Sequence, residues 1–337
     1  MNDTAAALAV LGAGSWGTAL AIQFARAGHP TRLWGRDIAQ QTVMASERRN
    51  ARYLPDAPFP DRLSVARNLD EALRGAGEIL IAVPSHALRK LLKEIAPRLG
   101  EHVRLAWATK GFELETGLLP HQVAREILGD RRSFAVLSGP TFAREVGGGL
   151  PTAMTIASAD EAFATELAKS LSGGNFRAYT SNDIVGVEVG GAVKNVLAVG
   201  AGLADGLGFG ANTRVALITR GLVEMTRLGV ALGAKRETFM GLAGLGDLVL
   251  TCTDDQSRNR RFGLLLAAGK STELALAEIG QVVEGYLAAR AVHGVAARQH
   301  VDMPICDGIY RLLYEGLPAR EVVKALMSRP IKAEFSE

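Results

Sequence analysis

The segment LGAGSWG at residues 11–17 places glycines at positions 12, 14 and 17, in the spacing GxGxxG. It follows an apolar run at residues 7–11 and opens a helical pattern. Gly12 permits a tight turn, Gly14 lets a pyrophosphate approach the backbone, and Gly17 allows the helix to pack closely on the strand. Free amides at the start of such a helix bind phosphate oxygens. In this context the motif predicts a dinucleotide site, and a plain tight turn is the alternative.

Residues close to the glycines indicate which dinucleotide binds. Ser15 and Trp16 are expected to line the phosphate channel, although Trp16 is also compatible with packing on the sheet. An NAD site has an acidic residue about 20 positions further on, which binds the ribose 2′-hydroxyl. Here the second predicted strand ends in LWGRD, and Arg36 would pair with the 2′-phosphate of NADP. Asp37, next to Arg36, could still bind the ribose of NAD, and Arg36 could instead be a solvated surface residue. The sequence therefore favours NADP as the cofactor, with NAD also accepted.

Short apolar runs alternate with helical patterns in the first half of the chain, which is typical of βαβ units. Strands are predicted at residues 7–11, 31–34, 79–83, 105–108, 134–137, 153–157 and 176–180, and helices at 18–27, 160–171, 213–228, 260–268 and 287–299. The strand pattern stops after residue 182. The sequence therefore predicts an α/β fold. It predicts a Rossmann-type, doubly wound, mostly parallel dinucleotide-binding domain at residues 1–185 and an all-α catalytic domain at residues 186–337.

Composition excludes several classes of protein. The 337 residues are 48% hydrophobic and 22% charged, as in an ordinary globular chain of about two domains, but 38 of them are glycine. The net charge of +3 is spread along the chain, which argues against nucleic-acid binding. Cys252 and Cys306 form no CxxC or Cys/His cluster, so we expect neither disulfides nor a metal site, and a cytoplasmic location.

The sequence contains no predicted signal peptide or membrane span. The N-terminus MNDTAAALAVLGAG lacks a basic region. The least charged stretch, at residues 184–210, still carries Glu188, Lys194, Asn195 and Asp205. We therefore expect no integral membrane segment.

The segment GGAVKNVLAVGAGLADGLGFGAN at residues 190–212 contains a lysine within an apolar helical pattern. Gly190 and Gly191 precede Lys194 by four and three positions, so the turn before the ammonium is bare and a ligand could lie against it. A partly buried lysine has a lowered pKa and can transfer a proton near neutral pH. The alternative is a structural lysine that extends to water.

Three further segments supply polar groups. Lys110 follows the fourth predicted strand, and Gly139 and Thr141 follow the fifth, so all three lie at the carboxyl edge of the sheet, where α/β folds bind ligands. Asp247, in GLGDLVLTCT, could accept from a substrate hydroxyl, orient a lysine or cap a helix.

A cluster at the start of a predicted helix has phosphate-binding chemistry. Ser257, Arg258 and Asn259 combine a hydroxyl, a guanidinium and an amide with the positive end of the helix dipole. Arg260 and Arg261 are interpreted as solvated neighbours.

These segments, together with TKGFE, SGPTFA, GLGDL, TCT and SRNRRFG, resemble the bacterial NAD(P)-dependent glycerol-3-phosphate dehydrogenases over nearly the whole chain. The resemblance implies reversible reduction of dihydroxyacetone phosphate to sn-glycerol 3-phosphate for phospholipid synthesis, with proton transfer by Lys194. It implies substrate contacts at Lys110, Gly139, Thr141, Lys194, Asp247, Ser257, Arg258 and Asn259. It implies cofactor contacts at Ser15, Trp16, Arg36, Tyr53, Lys110, Ala143, Arg258, Val282 and Glu284, beside Gly12, Gly14 and Gly17.

The expected partner is a phosphorylated triose, and the sequence leaves a homodimer open. Asp255 departs from the family pattern, where similar sequences often have an uncharged residue, and would weaken phosphate binding slightly. Two alternatives remain: a related two-domain reductase of the 6-phosphogluconate or 3-hydroxyacyl type, and a non-catalytic NAD(P)-sensing regulator.

Overall fold

The computed structural model describes residues 7–330 and 333–334 and begins with a sheet packed between helices. The strands are β1 Ala7–Leu11, β2 Thr31–Trp34, β3 Arg49–Asn50, β4 Leu54–Pro58, β5 Leu63–Val65, β6 Ala76–Ile81, β7 Arg104–Trp107, β8 Phe134–Ser138, β9 Thr152–Ser158 and β10 Phe176–Ser181. The helices among them are α1 Ser15–Arg26, α2 Ile38–Glu47, α3 Leu69–Leu73, α4 Ser85–Ile95, α5 Pro120–Leu128, α6 Ala143–Gly148 and α7 Glu161–Leu171.

Eight strands form one sheet in the order β10-β9-β8-β7-β6-β1-β2-β5. Neighbouring strands are parallel except for β8 and β9, so the predicted mostly parallel Rossmann-type sheet is confirmed. The sequence missed β5 and the small β3–β4 sheet. β5 has three residues and β3 has two, too few to show a period, and β4 contains Pro55 and Pro58, which argue against a central strand.

Both faces of the sheet are buried, as the near-continuous apolar runs of its strands require. Along β1, Leu8 and Val10 point into a core shared with α1 and α7. Ala9 and Leu11 point into the opposite core, which α3, α4 and α5 complete. This arrangement leaves the carboxyl ends of the strands free to position functional side chains.

All regular structure in the described residues beyond β10 is helical, which confirms the predicted all-α C-terminal part. Its helices are α8 Ile184–Gly206, α9 Ala211–Ala231, α10 Asp247–Thr253, α11 Arg258–Ala267, α12 Thr272–Ile279, α13 Glu284–Arg298, α14 Pro304–Tyr314 and α15 Ala319–Met327. A single π-helical turn, Leu242–Gly246, leads directly into α10.

The long helix α8 is the centre of this second part. It is long and apolar enough to cross a membrane, but 94% of its most apolar window is buried inside the protein. Asp183 caps its first turn by accepting from the Gly186 backbone N–H at 2.9 Å. Further along, a Cβ at Gly202 would lie 1.9 Å from the Arg260 carbonyl oxygen. Only glycine permits this approach, which brings the start of α11 against the helix that carries Lys194.

Candidate active site

A cleft of about 720 Å³ opens above the glycine loop, at the carboxyl end of the sheet. The predicted cofactor residues that line it are Gly12, Gly14, Ser15, Trp16, Arg36, Tyr53, Arg258, Val282 and Glu284. Three others do not line it. Gly17 packs beneath the loop, Ala143 packs on the core of the sheet at the start of α6, and Lys110 faces the second site described below.

The three glycines of the loop have different surroundings. A Cβ at Gly12 would lie 2.4 Å from the Ala82 carbonyl oxygen, and one at Gly17 would lie 1.9 Å from the Gly12 carbonyl oxygen. A Cβ at Gly14 would meet no atom within 4 Å, so the space above Gly14 is open to a ligand. The buried Trp16 Nε1 has no hydrogen-bond partner within the described part of the chain. Open backbone beside a donor that awaits an acceptor fits a dinucleotide pyrophosphate.

The charged residues that line the cleft include Arg36, Asp37 and Arg52. The Asp37 carboxylate accepts from the Gln40 backbone N–H at 3.1 Å, which caps α2, and lies 3.7 Å from the Arg52 guanidinium. Arg36 is exposed on the cleft wall. The Asp37 carboxylate is therefore engaged by the Gln40 backbone and lies near Arg52, while Arg36 is exposed on the cleft wall.

Two lysines share one buried carboxylate at the neighbouring edge of the sheet. Lys110 donates to Asp247 Oδ2 at 2.8 Å. Lys194 donates to Asp247 Oδ1 and to Thr251 Oγ1, the latter at 3.0 Å. The exposed fractions of the side chains are 12% for Lys110, 7% for Lys194 and 1% for Asp247. Lys194 therefore does not extend to water, and Asp247 orients lysines rather than capping a helix.

Burial and charge act in opposite directions on these groups. Burial lowers the pKa of Lys194, Asp247 raises it and Lys110 lowers it again, which leaves it at about 8. Burial also lowers the pKa of Lys110, but Asp247 and Glu284 outweigh burial and raise the pKa above its ordinary value. Burial raises the pKa of Asp247, and the two ammonium groups lower it further than burial raises it. Lys194 is thus the group that can exchange a proton near neutral pH.

Gly190 and Gly191 do not leave the bare ligand surface expected from the sequence. A Cβ at Gly190 would lie 2.4 Å from the Ala243 carbonyl oxygen, and one at Gly191 would lie 3.3 Å from Ser138 Oγ and 3.4 Å from Lys110 Cγ. These glycines bring the π-helical turn before Asp247, and Lys110 itself, against α8. The expectation was wrong because α8 is packed by protein on both sides.

A network of amides connects the lysine site to the start of α11. Asn259 Nδ2 donates to Asn195 Oδ1 at 2.9 Å, and Asn195 Nδ2 donates to Glu284 Oε2 at 3.2 Å. Asn259 Oδ1 accepts from the Gly285 backbone N–H at 2.8 Å. The network holds α8, α11 and α13 together beside the cleft.

The phosphate-binding candidates lie at the N-terminus of α11. Ser257 is the N-cap, and its hydroxyl oxygen accepts from the Arg260 backbone N–H at 3.2 Å. Arg258 reaches the cleft and donates to Gln281 Oε1 at 3.3 Å. The description of Arg260 as a solvated neighbour is wrong: it is buried and donates to Asp205 Oδ2 at 2.7 Å and to Asp255. The Asp255 carboxylate is therefore paired with Arg260.

The segment after β8 approaches the same region. Thr141 Oγ1 donates to the Gly139 carbonyl oxygen at 3.2 Å. A Cβ at Gly246, next to Asp247, would lie 3.5 Å from Pro140 Cγ, so this turn packs beside the residue that precedes the shared carboxylate.

Sequence reasoning missed two polar groups in this region. Thr251 contacts Lys194, and its position one helical turn after Asp247 could have indicated it. Ser138 Oγ is buried without a hydrogen-bond partner among the described residues. No group of three or more His, Cys, Asp or Glu that could hold a metal ion occurs in residues 7–330 and 333–334.

A dinucleotide cleft beside a buried lysine of lowered pKa defines a two-domain NAD(P)-dependent dehydrogenase. Family models described as NAD-dependent glycerol-3-phosphate dehydrogenase N-terminus and C-terminus match residues 7–164 and 183–324. The chain therefore belongs to the NAD-dependent glycerol-3-phosphate dehydrogenase family, and the resemblance found in the sequence is confirmed.

Curated relatives match over almost their full length. The chain is 57% identical to "Glycerol-3-phosphate dehydrogenase [NAD(P)+]" of Idiomarina loihiensis, over 96% of this chain and 98% of the relative. It is 56% identical to the protein of that name from Tolumonas auensis, over 98% of this chain and 100% of the relative. A crystal structure of glycerol-3-phosphate dehydrogenase from Coxiella burnetii has a TM-score of 0.92 and 46% identity, and the match covers 96% of this chain and 98% of that chain.

Proposed function

We propose that this chain reversibly reduces dihydroxyacetone phosphate to sn-glycerol 3-phosphate with NADPH or NADH, a reaction that supplies phospholipid synthesis. The observation that carries the proposal is the buried cluster of Lys110, Asp247 and Lys194 beside the dinucleotide cleft. Full-length similarity to glycerol-3-phosphate dehydrogenases supports it over reductases of the 6-phosphogluconate or 3-hydroxyacyl type and over a non-catalytic regulator.

Residues 1–185 form the cofactor-binding domain in this proposal, and residues 186–337 form the catalytic domain. The cofactor is held by the glycine loop with Ser15 and Trp16, and by the cleft residues Arg36, Tyr53, Arg258, Val282 and Glu284. Lys110 and Ala143 stay predicted cofactor contacts from the family resemblance, since neither lines the cleft of the free protein. A bound NADPH or NADH supplies the hydride that reaches C2 of the substrate. NADP is the preferred form because Arg36 is free for a 2′-phosphate while Asp37 caps α2.

Lys194 is the proton donor in the direction of reduction. Its ammonium polarises the C2 carbonyl oxygen and gives that oxygen a proton as the alkoxide develops, and in the reverse direction the neutral amine takes the proton back. Lys110 keeps its charge and stabilises the developing oxyanion. Asp247 accepts from both ammonium groups and so fixes the distance between them.

The phosphate end of the substrate is bound at α11. Arg258 and the helix N-terminus attract the dianion, and Ser257 and Asn259 hydrogen-bond its oxygens. Gly139 and Thr141 contact the remaining face of the triose. Binding a remote dianion orients the reacting carbon, so part of the phosphate's binding energy accelerates the chemical step.

The proposal also includes the cellular location and the oligomeric state. Cys252 and Cys306 are buried free thiols, which suits a reducing cytoplasm. A homodimer stays a prediction, and light scattering of the purified chain measures it.

The test of the proposed function is an NAD(P)H oxidation assay of the purified chain. Dihydroxyacetone phosphate is compared with 3-oxoacyl substrates using NADPH and NADH, and 6-phosphogluconate is tested separately by following the reduction of NADP⁺ and NAD⁺. We expect kcat/KM for dihydroxyacetone phosphate to be at least about a hundredfold higher than for the other substrates, because its phosphate and carbonyl would pair with the polar groups of this site. Preferred turnover of another substrate, or cofactor binding with no turnover at all, would identify one of the alternatives instead.

A further inference from the structure

A buried carboxylate outside the reacting cluster joins the helix of Lys194 to the strand that leads to Lys110. Glu188, on α8, has a side chain that is 1% exposed. It accepts from Trp107 Nε1 at 2.8 Å and from the His121 backbone N–H at 3.0 Å, and it lies 2.6 Å from His121 Nδ1. Trp107 ends β7, and His121 lies in the first turn of α5, so all these partners belong to the sheet domain.

The positions of these residues along the chain determine what the contact controls. Trp107 precedes Lys110 by three residues, and Glu188 precedes Lys194 by six, about 9 Å along an uninterrupted helix. The helix itself packs on β8 and β9, and the bond from Glu188 to Trp107 therefore fixes this part of α8 relative to the end of β7, the strand that leads to Lys110.

The part of α8 between Glu188 and Lys194 is tightly packed. Gly191 lies between Glu188 and Lys194, and its missing Cβ would be 3.4 Å from Lys110 Cγ. A shift of α8 relative to the end of β7 would press its backbone into Lys110 or draw Lys194 away from Asp247. Glu188 makes no hydrogen bond to Lys110, Lys194 or Asp247, so it acts on them only through the two backbones.

We propose that Glu188 is a positioning residue for the reaction: its hydrogen bonds to Trp107 and His121 fix α8 relative to the end of β7 and the start of α5, so that Lys194 and Lys110 meet on Asp247. This inference rests on the proposed function. A misplacement of about 1 Å at a reacting group costs on the order of a hundredfold in rate, so this bond is expected to influence kcat strongly.

A second buried carboxylate in the molecule provides a matched control. Glu224, on α9, accepts from the backbone N–H groups of Ile305 at 2.7 Å and Cys306 at 3.1 Å. It resembles Glu188 in burial and in binding the first turn of a helix, but it connects α9 to α14, away from β7. A loss of stability common to any buried carboxylate would appear at both positions, whereas a positioning effect would appear only at Glu188.

The experiment compares Glu188→Leu, Glu188→Gln and Glu224→Leu with the wild-type enzyme. Leu removes every acceptor at either position. Gln at 188 keeps one oxygen for Trp107 and the His121 backbone, and its amide can donate to His121 Nδ1. Tm, NADPH affinity, kcat and KM for dihydroxyacetone phosphate, and the pH midpoint of kcat are measured for each.

We expect Glu188→Leu to lower kcat at least tenfold and to shift the pH midpoint, with NADPH affinity within twofold of wild type. Glu188→Gln should restore kcat to within about threefold, and Glu224→Leu should lower Tm while keeping kcat and the midpoint. If Glu188→Leu does not fold, Trp107→Phe removes one donor, keeps the buried ring and is expected to lower kcat in the same way.

The proposal is overturned if Glu188→Leu keeps wild-type kcat and midpoint and loses only Tm, as Glu224→Leu does. It is also overturned if Glu188→Gln is as slow as Glu188→Leu, because Gln keeps the hydrogen bonds to Trp107 and His121 and should therefore restore kcat. Turnover of dihydroxyacetone phosphate by the wild-type enzyme in the same assay tests the proposed function separately.

Discussion

Lys110 Nζ lies 2.8 Å from Asp247 Oδ2 although the two residues are 137 positions apart in the chain. The other oxygen of this carboxylate accepts from Lys194. One buried anion thus brings together a lysine from the sheet domain and a lysine from the helical domain. Asp247 outweighs burial at Lys110 and raises its pKa, whereas burial dominates at Lys194 and lowers its pKa to about 8, so Lys194 is the member of the pair suited to proton transfer.

The pH dependence of the two reaction directions follows from the Lys194 pKa of about 8. Reduction needs the ammonium, so its kcat should fall as the pH rises through about 8, whereas oxidation needs the free amine and should rise over the same range. Asp247 raises this pKa, so Asp247→Asn should move both midpoints to lower pH as well as lowering kcat. Profiles of kcat in both directions measure this, and a midpoint that stays in place or moves upward in Asp247→Asn contradicts it.

Cofactor preference should depend on Arg36. Arg36→Asp replaces the guanidinium by a carboxylate that repels a 2′-phosphate and can bind a 2′-hydroxyl, so the ratio of kcat/KM for NADPH over NADH should fall by on the order of tenfold or more. Arg49→Asp makes the same charge change in the same domain, where Arg49 pairs with Glu47 outside the cleft lining, and should leave the ratio unchanged. Equal ratios in the two variants would remove Arg36 from 2′-phosphate recognition.

Substitutions at two glycines of the loop should have different effects, one on cofactor binding and the other on folding. Gly14→Ala meets no atom in the free protein, so its cost in unfolding free energy should stay below about 1 kcal/mol, while NADPH affinity should fall about tenfold because the methyl group occupies the pyrophosphate's approach. Gly17→Ala places a methyl group against the Gly12 carbonyl and should lower Tm strongly. Urea unfolding and NADPH fluorescence titration measure both effects. Unchanged NADPH affinity in Gly14→Ala would place the pyrophosphate elsewhere.

Much of the fold was predictable because its signals are local. The glycine loop, the β1–α1 unit and the N-cap at Ser257 depend on residues a few positions apart. The spacing also placed Lys110 and the turn after β8 at the carboxyl edge of the sheet, because parallel strands end there.

The interior of the site was less accessible to prediction. Whether Lys194 extends to water depends on Asp247, 53 positions away, and the burial of Arg260 depends on Asp205, 55 positions away. Gly190 was interpreted as ligand space because its actual neighbour, Ala243, is distant in the chain. The contact between Glu188 and Trp107, 81 positions apart, has no local signal at all.

Stability should depend on pH through Glu224. Burial raises the pKa of this carboxyl to about 7, only partly opposed by the N–H groups of Ile305 and Cys306. Between the ordinary value of 4.5 and about 7 the folded protein keeps a proton that the unfolded chain has lost, so stability falls as the pH rises through this window. Glu224→Gln has no titratable group at this position, so its stability should not show this fall with pH.

Urea unfolding at about pH 5 and about pH 8 measures the effect. The stability of the wild type relative to Glu224→Gln should decrease by about 2 kcal/mol between the two values, most of the full effect of the pKa shift. A difference that does not change with pH would mean that Glu224 is ionised throughout.

The most direct test of the central claim is the turnover of dihydroxyacetone phosphate by Lys194→Ala, measured together with its NADPH affinity. We expect kcat to fall by on the order of a thousandfold or more, because the proton donor is removed, while the NADPH dissociation constant stays within about twofold of the wild-type value. Lys90→Ala, which removes a lysine of the cleft wall that makes no hydrogen bond to Asp247, is the matched control and should keep kcat. Wild-type turnover in Lys194→Ala would contradict the assignment of proton transfer to this lysine.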